Sequence, residues 1–168
     1  VASFNYNSAT YCKTGANPVI TFVNGGTAGV FTSTAGLSLN SATGAIDLSQ
    51  SIPGNYIITN TIAAAGGCNA VTATFAITIT APQVATFSYP GSPYCKTATN
   101  PSPVFSGGGV AGTFTSTPGL SINSTTGEID LAASTPNTYT VTNTIAAGTC
   151  PQVVETAVVT IQALDDAT

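Results

Sequence analysis

The feature that most constrains this chain is that it repeats itself. Aligned against itself at an offset of 83 residues, "FNY" at Phe4 meets "FSY" at Phe87, and "YCKT" at Tyr11 meets "YCKT" at Tyr94. "FTST" at Phe31 meets "FTST" at Phe114, and "TNTIAA" at Thr59 meets "TNTIAA" at Thr142. One residue is then lost, so that Cys68 meets Cys150. About half the aligned positions are identical, which marks a duplication. Each copy must therefore bury its own core within about 83 residues. The expected domains are residues 1–83 and 84–165. The last residues, "DDAT", stand where "QVAT" stood before the second copy, so 166–168 are read as opening a third repeat of a longer array.

Each unit is rich in Val, Ile, Thr, Tyr and Phe, which favour strands because branched and aromatic side chains pack well on a pleated surface. Gly, Pro, Asn and Ser interrupt them at short intervals and supply turns. No segment keeps a 3.6-residue period. The first copy predicts strands over 3–6, 11–13, 19–23, 29–33, 37–39, 45–48, 55–62 and 71–80. Seven or eight short strands with regular turns make the chain all-β, two tandem Ig-like β-sandwich repeats.

The stretch "GLSLNSATGAIDL", Gly36 to Leu48, returns as "GLSINSTTGEIDL" from Gly119. Leu37 and Leu39 alternate with Ser38, and Ile46 and Leu48 alternate with Asp47, so each arm has one apolar face. Between them "NSATG" turns the chain, with Asn40 able to bond its own backbone and Gly44 supplying free φ. The stretch is thus a core-building hairpin. "Asn123-Ser124-Thr125" matches a glycosylation acceptor, but its twin "Asn40-Ser41-Ala42" does not, so it too is read as a turn.

The charges narrow the function. Charged residues make up 5% of the chain, against about 25% in ordinary proteins. Lys13 and Lys96 are the cations, and the net charge is −4. Nucleic acid and anionic membranes need clustered Lys and Arg, so neither is expected as a partner. No run approaches the roughly 18 apolar residues of a membrane span. With no His, sparse carboxylates and no base beside any Ser or Thr, no catalytic group is expected.

Each repeat carries two cysteines at nearly the same spacing, Cys12 with Cys68 and Cys95 with Cys150. One bridge per repeat is the expectation, closing a loop of about 56 residues and contributing about 4 kcal/mol. The alternatives are buried free thiols or a metal site, although no His and no CxxC accompany them. Disulfides would place the chain in an oxidising, extracellular compartment. Beside these cysteines, Lys13 and Lys96 are read as solvated.

The sequences "GLSLNSATGAIDLSQSIPGNYIIT" and "GLSINSTTGEIDLAASTPNTYTVT" resemble the turn signature of bacterial putative-Ig and cadherin-like modules. With "YCK…NP" before and "GGC…TAT" after, the whole unit resembles the tandem repeats of very large surface adhesins in Bacteroidota. The resemblance covers both repeats nearly end to end. It implies an exported repeat at the cell surface, attached to the outer membrane through its parent protein and used for adhesion or gliding motility. It carries over no ligand residues. Cadherin-like modules hold Ca²⁺ at their junctions with several acids, whereas "TAPQVAT" has none. The acids left as candidates for Ca²⁺, which takes six to eight oxygens, are Glu128 and Asp130, alternating on one strand face although the first copy has Ala45 in place of Glu128, and Asp165 and Asp166 at the end of the chain; the expectation is solvated carboxylates and no cofactor, with Ca²⁺ as the alternative.

Three functional readings follow. The repeat is a load-bearing stalk of a long adhesin, with neighbouring repeats as its partners. Or it binds polysaccharide or a solid surface itself, through exposed Thr, Ser and Asn and a stripe of Tyr6, Tyr11, Tyr89 and Tyr94, which could instead line the core edge. Or it is an accessory domain of a secreted enzyme.

Overall fold

The computed structural model of the chain describes residues 1–163. Asp165, Asp166 and the segment 166–168 lie outside the described residues. The chain divides into two compact units, Val1–Pro82 and a second beginning at Gln83.

In the first unit the strands are β1 (Phe4–Tyr6), β2 (Thr10–Cys12), β3 (Ile20–Phe22), β4 (Val30–Ser33), β5 (Gly54–Ile62) and β6 (Val71–Thr80). One sheet has the order β2-β6-β5-β4, and β1 pairs with β3 on the other side of the core. β5 and β6 form a long antiparallel hairpin, while β2 runs parallel to β6. The second unit repeats the plan with β7 (Phe87–Ser88), β8 (Tyr94–Cys95), β9 (Val104–Phe105), β10 (Thr113–Ser116), β11 (Ser121–Ile122), β12 (Ile129–Asp130), β13 (Asn137–Ile145) and β14 (Val153–Gln162). Its main sheet has the order β10-β13-β14-β8, β7 pairs with β9, and β11 with β12.

Alternation along these strands builds the core. In β5, Tyr56, Ile58 and Asn60 are buried, and Asn55 and Ile57 face out. Phe4 meets Phe31 edge to face at 5.3 Å and Tyr6 at 5.8 Å. Phe87 meets Phe114 at 5.5 Å and Tyr89 at 5.9 Å in the same geometry. Edge-to-face rings set a positive rim against a negative face, which adds to the area they bury. Leu48, Ile58, Leu131 and Val141 are fully buried between the layers.

The repeated short stretch closes this core. Asn40 Oδ1 accepts from the amides of Ala42 and Thr43, and Asn123 Oδ1 from those of Thr125 and Thr126. Gly44 follows at φ +73°, and a Cβ there would meet Ile20 Cδ1 at 2.6 Å and the Phe31 ring at 2.9 Å. Only glycine satisfies both the backbone and the packing. The arms differ from expectation in one respect. In the first unit they are reduced to a single bridge, Leu39 with Ile46, whereas the second unit keeps the strand pair β11–β12. The turn engages much of the remaining backbone: the Asn40 amide donates to Ala45, that of Gly44 to Asn40, and that of Phe31 to Ser41.

A buried asparagine holds each sandwich together. Asn60 is fully buried at an inward position of β5. Its Nδ2 donates to the carbonyls of Ala2 (2.8 Å) and Thr27 (2.9 Å), and its Oδ1 accepts from the Gly29 amide (2.8 Å). Asn143 does the same to Ala85, Val110 and Gly112. One side chain thus ties the incoming chain and the loop before β4 to the central strand.

Replacing Asn60 by Ala leaves the buried Ala2 carbonyl and the part-buried Thr27 carbonyl and Gly29 amide without their side-chain partner. We expect N60A to lose about 2–3 kcal/mol of the first unit's stability, read as a lower midpoint in urea unfolding. A loss below about 0.5 kcal/mol, the range of an ordinary surface change, would refute the clamp.

Candidate functional site

Three sets of residues raise a question of function: the tyrosines, the cysteines with the acids, and the outward face of each main sheet.

The tyrosine stripe does not form an exposed surface. Tyr6, Tyr11 and Tyr89 are buried, and Tyr94 is half-buried. Each hydroxyl is turned onto the protein's own backbone. Tyr6 donates to the Gly44 carbonyl (2.6 Å) and Tyr89 to that of Gly127 (2.5 Å). Tyr11 donates to Asn7 Oδ1 and the Ser8 carbonyl and accepts from the Ser8 amide; Tyr94 donates to the Pro90 carbonyl. A tyrosine buries its ring where a polar partner waits for its hydroxyl, and here that partner is the glycine carbonyl of the repeated turn. Burial pushes the Tyr6 and Tyr89 hydroxyls far above the usual tyrosine value, and the neighbouring Tyr11 and Tyr94 add to the shift. Burial also raises Tyr11 and Tyr94.

The predicted disulfide pairing is corrected. Cys12 and Cys150 are each disulfide-bonded, while Cys68 is an exposed free thiol. Strand geometry excludes both pairs expected within a repeat. Cys12 lies opposite Thr80, at the end of β6. Cys68 lies three residues before β6 begins at Val71. The 10 residues of β6 separate those points by about 30 Å, and three residues of chain recover at most about 10 Å of it. A disulfide tolerates about 7 Å between Cα atoms. The same holds in the second unit, where Cys95 lies opposite Gln162 and Cys150 precedes Val153. Cys95 has its Sγ 3.3 Å from Thr97 Oγ1, as Cys12 has from Thr14 Oγ1. The two cysteines of a repeat stand at opposite ends of it, a fact their spacing in sequence does not carry.

Among the described residues the acids do not converge. Glu128 and Asp130 are exposed, and Asp130 Oδ1 accepts from the Ala133 amide. Asp47 accepts from the Ser49 hydroxyl and from the amides of Ser49 and Gln50, and that hydroxyl is the main cause of its carboxyl lying below the usual range. Among the described residues no three His, Cys, Asp or Glu side chains come together as a metal site would require. Lys13 and Lys96 are half-buried.

The outward face of each main sheet is more regular. Thr32 of β4, Thr59 of β5 and Thr74 of β6 stand directly opposite one another across three strands. Thr115, Thr142 and Thr156 form the same row in the second unit. The strands that carry such a row are about 4.8 Å apart. Exposed Ile57 and Val158 lie beside these rows. The face is thus uncharged and made of hydroxyls and methyls.

No family model matches the chain, and no curated protein sequence matches it. Solved structures do. Drosophila N-cadherin EC1-4 aligns over 95% of this chain and 49% of its own, at 11% identity and a TM-score of 0.45. A SusE-like surface located polysaccharide binding protein from the Bacteroides thetaiotaomicron heparin utilisation locus aligns over 99% of this chain and 34% of its own, at 18% identity and a TM-score of 0.33. A Ca²⁺-stabilised adhesin that helps an Antarctic bacterium bind ice aligns over 96% and 49%, at 18% identity and a TM-score of 0.39. The chain thus spans a third to a half of the length of these structures.

The tyrosines set the alkaline limit of stability. Their folded pKa values lie above the unfolded value of about 10, so the folded state holds protons that the unfolded state has lost. Their contribution is complete below about pH 10 and is lost as pH rises through the folded values. We expect unfolding midpoints to be flat through neutrality and to fall between about pH 10 and pH 12, with the fall shallower in the Y6F/Y89F variant. An equally steep fall in that variant would show that other groups set the limit.

Proposed function

We propose that this chain is a run of non-catalytic repeats from a long extracellular adhesin of the cell surface, serving adhesion or gliding motility as a disulfide-bearing stalk. In sequence its repeats resemble those of gliding-motility adhesins such as SprB. On this reading the parent protein is exported and held at the outer membrane, and the neighbours of each repeat are further repeats.

The observation that supports this is the path of the chain through each unit. The incoming chain is clamped at Ala2 by Asn60, which lies opposite Ala73 near the start of β6. The chain leaves after Thr80, the other end of that strand. The two points lie about 23 Å apart along β6. In the second unit Asn143 clamps Ala85 opposite Glu155, and the described strand ends at Gln162. A unit that admits and releases its chain at opposite ends transmits tension along its strands. Pulling on Thr80 draws β6 lengthwise past β5 and β2, so their hydrogen bonds are loaded together rather than one at a time.

A second reading is favoured by the threonine rows. An uncharged face of hydroxyls and methyls suits contact with the hydroxyl-rich, uncharged surface of a polysaccharide.

Beads coated with the chain and held in flow over agar and glass separate the two. If the repeats are themselves adhesive, oxidised beads hold, and beads carrying T59D/T142D, charged at the centre of each row, wash away. If the repeats are a stalk, all beads wash away, and the chain pulled by its ends after reduction of its disulfide gives one resolved unfolding event per repeat. Extension without resolved events would overturn the stalk.

A further inference from the structure

The cysteines of each repeat fall into two kinds by position. Cys12 and Cys95 belong to the "YCKT" segments and lie at the trailing end, where the last strand finishes. Cys68 and Cys150 lie at the tip of the long hairpin, before β6 and β14 begin. The tip is at the leading end, because the asparagine that clamps the incoming chain sits on the same half of the hairpin. Cys12 and Cys150, one of each kind, are each disulfide-bonded. Neither can reach the other cysteine of its own repeat. Cys68 occupies the position in the first repeat that Cys150 occupies in the second. It is exposed and free, on a tip closed by the bridge between Ala65 and Cys68 and the bond from the Cys68 amide to the Ala65 carbonyl (3.0 Å).

We propose that Cys68 is a disulfide acceptor for the "YCKT" cysteine of a further repeat of the same kind, one that precedes Val1 in the parent chain. The inference rests on the reading of the chain as part of a repeat array. On that reading, the polypeptide that reaches Val1 would come from the trailing end of a preceding repeat of the same plan, where the "YCKT" cysteine lies. It arrives at the leading end of the first unit, where Cys68 stands. The duplicated position Cys150 is already bonded, which shows that this tip geometry admits a disulfide. The first unit would then be tied covalently to the repeat that precedes it, and tension would reach it along that bond as well as along the chain.

The bond forms by oxidation. Two thiols lose their protons and together two electrons, one sulfur–sulfur bond forms, and an oxidant disulfide accepts the pair. With oxidised glutathione as that oxidant, its own disulfide breaks and two glutathione thiols leave. The cysteine of the preceding repeat and Cys68 are the two thiols consumed.

The test is a three-repeat chain, made by placing a second copy of residues 1–83 before Val1 of the full chain. It is oxidised in a glutathione buffer, alkylated without reduction and digested. The expected result is a disulfide-linked peptide pair joining Cys68 to the "YCKT" cysteine of the added repeat, with Cys68 protected from iodoacetamide, whereas in the two-repeat chain it is fully alkylated. In the C68S form of the three-repeat chain, the added "YCKT" cysteine becomes alkylatable. If Cys68 stays alkylatable in the three-repeat chain, or maps to Cys12 or to the added tip cysteine, the proposal is wrong. Beads that fail in flow while the expected linkage is found would refute the adhesive reading and leave this one standing.

Discussion

The sandwich depends on a single polar residue in an apolar place. Asn60 sits at an inward position of β5, where the strand period calls for a hydrophobe, and Asn143 repeats it. Burying an amide costs free energy unless its groups are paired. Here Nδ2 donates twice and Oδ1 accepts once, with all three partners on backbone that would otherwise have no ladder to join. A leucine would fill the same volume but leave the carbonyls of Ala2 and Thr27 and the amide of Gly29 without partners. The loop is brought close for this purpose: a Cβ on Gly29 would lie 2.1 Å from the Thr61 carbonyl. One clamp thus fixes where the chain arrives and how β4 is approached.

The second fixed point is the turn that repeats most faithfully. Its asparagine bonds its own loop, its glycine gives way to the Phe31 ring, and its glycine carbonyl receives the hydroxyl of Tyr6. Tyr6 is therefore apolar toward Phe4 and polar toward the turn, and it joins the β1 side of the core to the loop that covers it. Ser51 adds a smaller tie, donating to the Asp47 carbonyl and accepting from the Ser38 amide while fully buried. The residues that make these contacts recur in the second unit as Tyr89, Gly127 and Ser134. This accounts for the fidelity of the short stretch. It is constrained by backbone partners, which tolerate less variation than an apolar contact does.

Much of the fold was legible in the sequence because strands and turns are local. Alternation placed β5 and β6 to within a residue at each end, and "NSATG" announced its own geometry. What was not legible depends on where strands lie in space. "TNTIAA" was visible as a repeated string, but the role of its asparagine was missed. The available signal was a polar residue at an inward position of an otherwise alternating strand. The tyrosines could be read as stripe or core, and their hydroxyl partners, two glycine carbonyls 38 residues away, decided for the core. The cysteine pairing failed for a sharper reason. Equal spacing in two copies says that the pair is repeated, not that its members meet, and a ten-residue strand between them keeps them apart.

These points bear on function through direction. A sandwich has two ends, and this one receives its chain at the end with the hairpin tip and releases it at the end with "YCKT". The asparagine clamp secures the first, and the parallel pairing of β2 with β6 secures the second, through bonds from the Thr78 amide to the Ala9 carbonyl (2.8 Å) and from the Lys13 amide to that of Thr80 (2.9 Å). Tension entering at Ala2 passes through Asn60 into β5, crosses the hairpin ladder into β6, and leaves at Thr80 beside Cys12. Each step is a set of hydrogen bonds lying across the direction of pull, so none can open without its neighbours. The outward threonines take no part in this path. A surface outside that path is free of the constraint that fixes the clamp and the ladder, so its side chains can vary without loosening either.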